Sequence, residues 1–256
     1  MADKKFVIIA NPRTGTNHFI DLLNSHQEIT CHREVFHRDA VYMLRGSRAD
    51  LLESRERDPV GFMEELYDSA PTRACGFKIF AGHSSAVLDR VLHDPNIRKI
   101  ILYRPNFLAV YSSEKIAEAE NRYVILEGKA ASIDAGAYDS ARTSEKALFD
   151  QREFARRWGA YQEHYKYATD VLNETGQEFL FVTYEDFINE SFFRRIFAFL
   201  GLSQPEVLVT RMSKQNGSDI LSRFLNPDEA RAYIYRIGRM NWANEGFMLW
   251  GGKEEG

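Results

Sequence analysis

Two cysteines, Cys31 and Cys75, are all that the 256 residues contain. No disulfide framework can carry such a fold, and a reducing compartment is expected. No apolar run approaches the ~20 residues of a membrane span. The opening MADKK leads straight into an apolar stretch and leaves no room for a signal peptide. A cytoplasmic protein is therefore expected, with contact to a membrane surface left open. Positive charge is not in excess: 33 Lys and Arg face 37 Asp and Glu, a net charge of -4. That balance argues against a nucleic-acid partner, although a local basic pocket remains open. The histidines lack metal-ligand spacing, His18 and His26 sitting on a predicted helix and His164 standing alone. No internal repeat or linker divides the chain. Residues 1–256 read as a single domain, large enough for its own core, with a polar tail at 251–256 expected to be disordered.

What is present begins at Lys5–Asn17, KFVIIANPRTGTN. A short apolar run breaks at Asn11-Pro12, continues through Arg13-Thr14-Gly15-Thr16-Asn17, and gives way to an amphipathic segment. Strand, tight loop and helix start are the layout of an anion cradle, because N–H groups and the helix dipole favour phosphate or sulfate there. It is not the nucleoside-triphosphatase loop G-x-x-x-x-G-K-[ST]. Laid on Ala10–Asn17, that pattern puts Ala10 at the first Gly, Thr16 at the Lys and Asn17 at the magnesium hydroxyl. The cation has moved to Arg13 and the metal ligand is gone, so an ordinary kinase or ATPase fits poorly.

Beyond the loop, strand and helix patterns alternate, which predicts a P-loop-type, three-layer α/β/α fold around a mainly parallel sheet. Strands are expected at Phe6–Ala10, Cys75–Phe80, Arg98–Tyr103 and Glu178–Thr183. Helices are expected at Asn17–Ser25, around Asp39–Leu44, at Pro59–Ser69, Ser84–His93, along Phe154–Leu172 and at Phe192–Gly201. A helix is also expected to open at Pro105. His32, Arg33, Glu34 and His37 fall in a loop, Glu118–Glu145 reads as a functional lid or loop, and the C-terminal region reads as irregular and aromatic.

Four blocks in order resemble the sulfotransferase superfamily, which uses 3′-phosphoadenosine 5′-phosphosulfate (PAPS). They are Pro12–Asn17; Arg104 with Ser112 in YRPNFLAVYSS; TYEDFINE followed by FRRIFAFLGL; and, more weakly, SKQNGSDILSRFLNPDEARAYI. The chain looks closest to the bacterial nodulation-type and carbohydrate branches. The resemblance implies a PAPS co-substrate with no metal, the 5′-phosphosulfate held by Arg13, Thr14, Gly15, Thr16 and Asn17. It assigns the 3′-phosphate to Arg104 and Ser112, eight residues apart, roughly two helical turns. Tyr184 and Lys214 are further candidate cofactor residues, Lys214-Gln215 only partly replacing the Arg-Lys-Gly of the cytosolic branch.

Sulfuryl transfer to a hydroxyl needs a general base. Glu34, 21 residues beyond Arg13, resembles the catalytic Glu of the tyrosylprotein branch. Lys78, inside the apolar run CGFKIF, must emerge near a strand's C-terminal end, where the family often has a Lys that stabilises the transferred group. His83, five residues past Lys78 instead of two, is the alternative base, with a structural role as its competing reading. Expected catalytic residues are thus Glu34, Arg13 and Lys78. The expected acceptor is a hydroxyl of a carbohydrate or glycolipid, with Tyr42, Phe80, Tyr123 and Tyr138 available to stack on sugar rings. A tyrosine or small-molecule acceptor, a divergent P-loop kinase and a non-catalytic nucleotide-binding module are the alternatives, and a homodimer is left open.

Overall fold

The computed structural model describes residues 2–119, 146–205 and 218–245. Five strands, β1 (Lys4–Ala10), β2 (Ile29–His32), β3 (Ala74–Phe80), β4 (Ile97–Tyr103) and β5 (Phe179–Thr183), form one sheet in the order β2-β3-β1-β4-β5. Every neighbouring pair is parallel. Every residue of β3 is buried. Since alternate residues face opposite sides of a sheet, both faces there are covered, as in an α/β layered fold. The helices are α1 (Thr16–Asn24), α2 (Leu52–Arg57), α3 (Pro59–Asp68), α4 (Ser85–His93), α5 (Phe107–Ala119), α6 (Gln151–Glu174), α7 (Glu190–Leu200) and α8 (Pro227–Arg236).

Local chemistry explains where the helices start and stop. The Asp58 side chain caps α3 by accepting from Gly61 N at 2.9 Å, with Pro59 in the first turn. Ser84 caps α4 and Asn189 caps α7 in the same way, and Gly201 ends α7 in the left-handed conformation. The expected opening of α5 at Pro105 is corrected. Asn106 is the cap, its Oδ1 accepting from Ala109 N at 3.1 Å, and the helix begins at Phe107.

Three further expectations are corrected. Asp39–Leu44 is not helical, Tyr42 pairing with Ser47 in an isolated antiparallel bridge; helix forms later, at α2. The supposed loop before Glu34 contains β2, whose four residues are too few for a visible alternation. The C-terminal region is not wholly irregular: Asn226-Pro227-Asp228-Glu229, a cap, a first-turn proline and two acids, opens α8. Tyr123, Tyr138, Lys214, the tail 251–256 and all but the start of Glu118–Glu145 lie outside the described residues.

The chain divides into two compact units, Met1–Tyr103 with Tyr161–Arg211, and Arg104–Ala160 with Met212–Gly256. The first holds the sheet and a core that includes Phe6, Phe19, Phe77, Phe193 and Phe197. The second is built on aromatic contacts among Phe107, Tyr111, Phe149, Phe154, Phe224 and Trp242, with ring centroids 5.2–6.4 Å apart. In the sheet, β3 and β4 flank β1 on opposite sides. The strand order therefore reverses at β1, and α/β folds bind ligands beyond the carboxyl ends of strands at such a point.

Candidate active site

The sequence-predicted residues follow the carboxyl ends of the strands one by one. Arg13 comes after β1, Glu34 after β2, Arg104 after β4 and Tyr184 after β5, while Lys78 lies near the end of β3. The loop after β1 turns through two left-handed residues, Arg13 at φ 63° and Gly15 at φ 85°. Gly15 accepts that conformation freely, but Arg13 carries a side chain there at a steric cost. Thr14 between them is fully buried, and its Oγ1 donates to the Asn11 carbonyl at 2.7 Å, tying the turn. No side chain caps α1. The turn and the open helix start together make a backbone cradle suited to an anion.

Thr16 and Asn17, the first two residues of α1, face Lys78. Its Nζ donates to Asn17 Oδ1 at 2.8 Å and to Thr16 Oγ1 at 3.3 Å, and forms an ion pair with Glu34 Oε1 at 2.9 Å. An ammonium has three protons, and these three acceptors match them. Lys78 is 1 % exposed, so burial works against its charge while the Glu34 carboxylate favours it. Burial also pushes Glu34 up. The charge and hydrogen bond of Lys78 outweigh this and hold the carboxyl below its ordinary value. Glu34 is accordingly a carboxylate at neutral pH, as a base must be.

His83 stands beside this pair, its Nε2 3.7 Å from Glu34 Oε2. Its Nδ1 accepts from Phe80 N at 3.3 Å, which leaves the proton of the neutral ring on Nε2. Burial lowers its pKa to about 4. In this arrangement His83 is a neutral neighbour of Glu34, with no ring nitrogen free to take a proton from an acceptor.

The backbone around Glu34 is pinned from several sides. Lys78 N donates to Arg33 O, and the Glu34 carbonyl accepts from His37 N at 3.1 Å and Tyr42 N at 3.3 Å. Arg55, 3 % exposed, sends its guanidinium to the carbonyls of Val35, His37, Arg38 and Ala40. Sequence reading missed Arg55, which sits in a polar stretch that gives no sign of burial. Tyr42 contacts the His37 ring at 5.2 Å, and Phe80 contacts His83 at 5.0 Å. Aromatic surface thus lies close to the carboxylate.

In the second unit, Arg104 and Ser112 are both buried and both engaged. Arg104 Nε donates to Glu245 Oε1 at 2.8 Å and its Nη2 donates to Oε2, a two-point pair. Ser112 Oγ donates to the Ala109 carbonyl at 3.1 Å and accepts from Arg223 Nη1 at 3.1 Å. Sequence reading missed Arg223 and Glu245, although Arg223 lies within the weakest of the four family-like blocks. A guanidinium fork that holds a carboxylate has the geometry to hold a phosphate, so the residue types here fit one. Tyr184 is buried at the start of a short 3-10 turn, and Asp186 two residues on completes a capping box with Thr183. Among the described residues no group of three or more His, Cys, Asp and Glu is arranged to hold a metal. No described helix is long and apolar enough to cross a membrane.

The sulfotransferase domain, as a family, matches residues 3–220. Curated proteins show no match. Among solved structures, the chain is similar to a sulfotransferase from Alicyclobacillus acidocaldarius, with TM-score 0.51 and 19 % identity over 94 % of this chain and 95 % of that one. It is more distantly similar to a mouse sulfotransferase complexed with PAP, with TM-score 0.41 and 11 % identity over 80 % and 61 %. A retinol dehydratase in complex with retinol and PAP gives TM-score 0.39 and 14 % identity over 97 % and 73 %.

Proposed function

This chain belongs to the sulfotransferase domain family, and from that premise we propose that it moves the sulfuryl group of PAPS to a hydroxyl of a carbohydrate or glycolipid. The Lys78–Glu34 ion pair beside the anion loop carries this reading: a half-buried base and a buried cation next to a cradle for the donor. Bound PAPS supplies an activated sulfuryl group and a phosphate leaving group. Arg13, Thr14, Gly15, Thr16 and Asn17 hold the phosphosulfate. Arg104 and Ser112, with Tyr184 and Lys214, are assigned to the rest of the nucleotide.

Glu34 accepts the proton of the acceptor hydroxyl as that oxygen attacks in line. Neutralising Glu34 weakens its hold on Lys78, so one ammonium proton becomes free at the moment charge builds on the departing oxygen. Lys78 and Arg13 then stabilise that charge. Proton capture and charge stabilisation are in this way coupled through one ion pair.

The sugar acceptor is supported by Tyr42, a half-buried ring packed on His37 of the Glu34 loop, which is suited to stacking on a sugar. Cys31 and Cys75, buried free thiols, support a reducing, cytoplasmic setting. A family match that runs through both compact units supports treating residues 1–256 as one sulfotransferase domain. The test is calorimetric titration with adenosine 3′,5′-bisphosphate (PAP), without magnesium, on wild type and Arg104→Ala, each checked for folding by its melt. Binding by wild type that Arg104→Ala weakens is expected. Failure of wild type to bind PAP, with binding of ATP and magnesium instead, would move the chain to nucleotide triphosphate chemistry.

A further inference from the structure

Among the described residues of the second unit, the buried charged side chains are Arg104, Arg223 and Glu245: two guanidiniums and one carboxylate. Glu245 meets Arg104 through both oxygens, the same paired geometry a guanidinium offers to phosphate. Arg223 reaches Ser112, which with Arg104 is assigned above to the 3′-phosphate. Arg104 directly follows β4 in the chain. A purely structural role for such a pair is a poor explanation, because a buried ion pair adds little stability over apolar packing.

We propose that Glu245 is an internal stand-in for phosphate. It occupies the Arg104 fork until the 3′-phosphate of the nucleotide displaces it, and Arg223 then becomes a third ligand of that phosphate with Arg104 and Ser112. The backbone of the segment stays anchored, Glu245 N donating to Ser218 O at 2.8 Å and Asn106 Nδ2 to Trp242 O at 3.1 Å. The inference rests on the assignment of Arg104 and Ser112 to the 3′-phosphate.

The experiment compares PAP with adenosine 5′-monophosphate, which lacks the 3′-phosphate, on wild type, Glu245→Gln and Arg223→Met by calorimetry. Wild type is expected to prefer PAP. Glu245→Gln is expected to tighten PAP about tenfold, the factor by which a competitor filling the site in about 90 % of molecules lowers apparent affinity. Adenosine 5′-monophosphate should bind both proteins equally. Arg223→Met should weaken PAP alone, and unchanged PAP affinity removes Arg223 from the phosphate ligands. If wild type prefers PAP but Glu245→Gln binds it equally or less tightly, Glu245 is no stand-in and the 3′-phosphate assignment survives. If wild type binds the two nucleotides alike, the 3′-phosphate assignment itself falls. Should Glu245→Gln not fold, Glu245→Asp weakens the pair by one methylene, and the same increase or its absence decides.

Discussion

Lys78 shows how one side chain does several jobs. Its strand is wholly buried, so its charge survives only through the three oxygens around it. Replacing it by Met removes that support and leaves the Glu34 carboxylate facing an apolar wall. The Glu34 pKa then rises, and the acid limb of the kcat/KM profile moves to higher pH, which a pH–rate series would show. In the wild type the sign runs the other way. A depressed carboxyl contributes stability above the ordinary Glu value of ~4.3 and loses it as pH falls through its lower folded value. Loss of the pair costs about 3 kcal/mol, the low end of the range for a broken buried pair, because Glu34 keeps some contact with water. An unchanged acid limb in Lys78→Met would separate the two residues functionally. Glu34 was singled out only through the family resemblance, but Lys78 and the loop were legible in the sequence because a charge inside an apolar strand and a glycine turn at a helix start are local signals. Glu245 was not. Its partner Arg104 lies 141 positions away, and nothing near Glu245 in the chain marks it as buried.

At the level of elements, two positions fix how the strands and loop sit. Gly76 of β3 pairs with Phe6 of β1, and a Cβ at Gly76 would lie 2.3 Å from the Phe6 ring. Gly76→Ala overpacks the sheet and should cost about 1–3 kcal/mol in urea unfolding; Phe6→Leu on the same chain should recover part of it. No loss in Gly76→Ala would mean that the ring moves aside freely. Arg55 acts on the loop that follows β2. Arg55→Met releases the carbonyls of residues 35–40, and Glu34 shifts. Turnover should drop by up to about 10²-fold while PAP affinity stays the same, a split that a merely less stable protein would not produce. The long helices and the strands β1, β3, β4 and β5 were visible from their periodicity and apolar runs. β2 escaped because four residues of mixed polarity give no period, and α2 because its burial comes from one arginine, Arg55.

For the molecule as a whole, acid sensitivity is built into the sheet-bearing unit. His18 and His32 are buried and His83 is half-buried, and burial lowers each pKa to about 4. In the unfolded chain they titrate near the ordinary ~6.5, so between these values the unfolded state binds more protons than the native one. Stability is full above that window and falls as pH drops through it, each imidazole adding about 1.4 kcal/mol per pH unit. The melting temperature should therefore decline steeply below about pH 6.5, less steeply in His32→Phe. A flat profile would mean that these rings are already protonated in the fold. The α/β class was readable from alternating patterns. The division into two units was not, because each is assembled from two separated stretches of chain.

Sulfuryl transfer with Glu34 as base is read out by single-turnover transfer from labelled PAPS to a panel of sugar acceptors. Wild type and Glu34→Gln would be run side by side, with PAP affinity measured on both. Wild type should transfer, Glu34→Gln should fall by about 10²- to 10⁴-fold, and both should bind PAP equally. Transfer at the wild-type rate by Glu34→Gln would contradict Glu34 as the base.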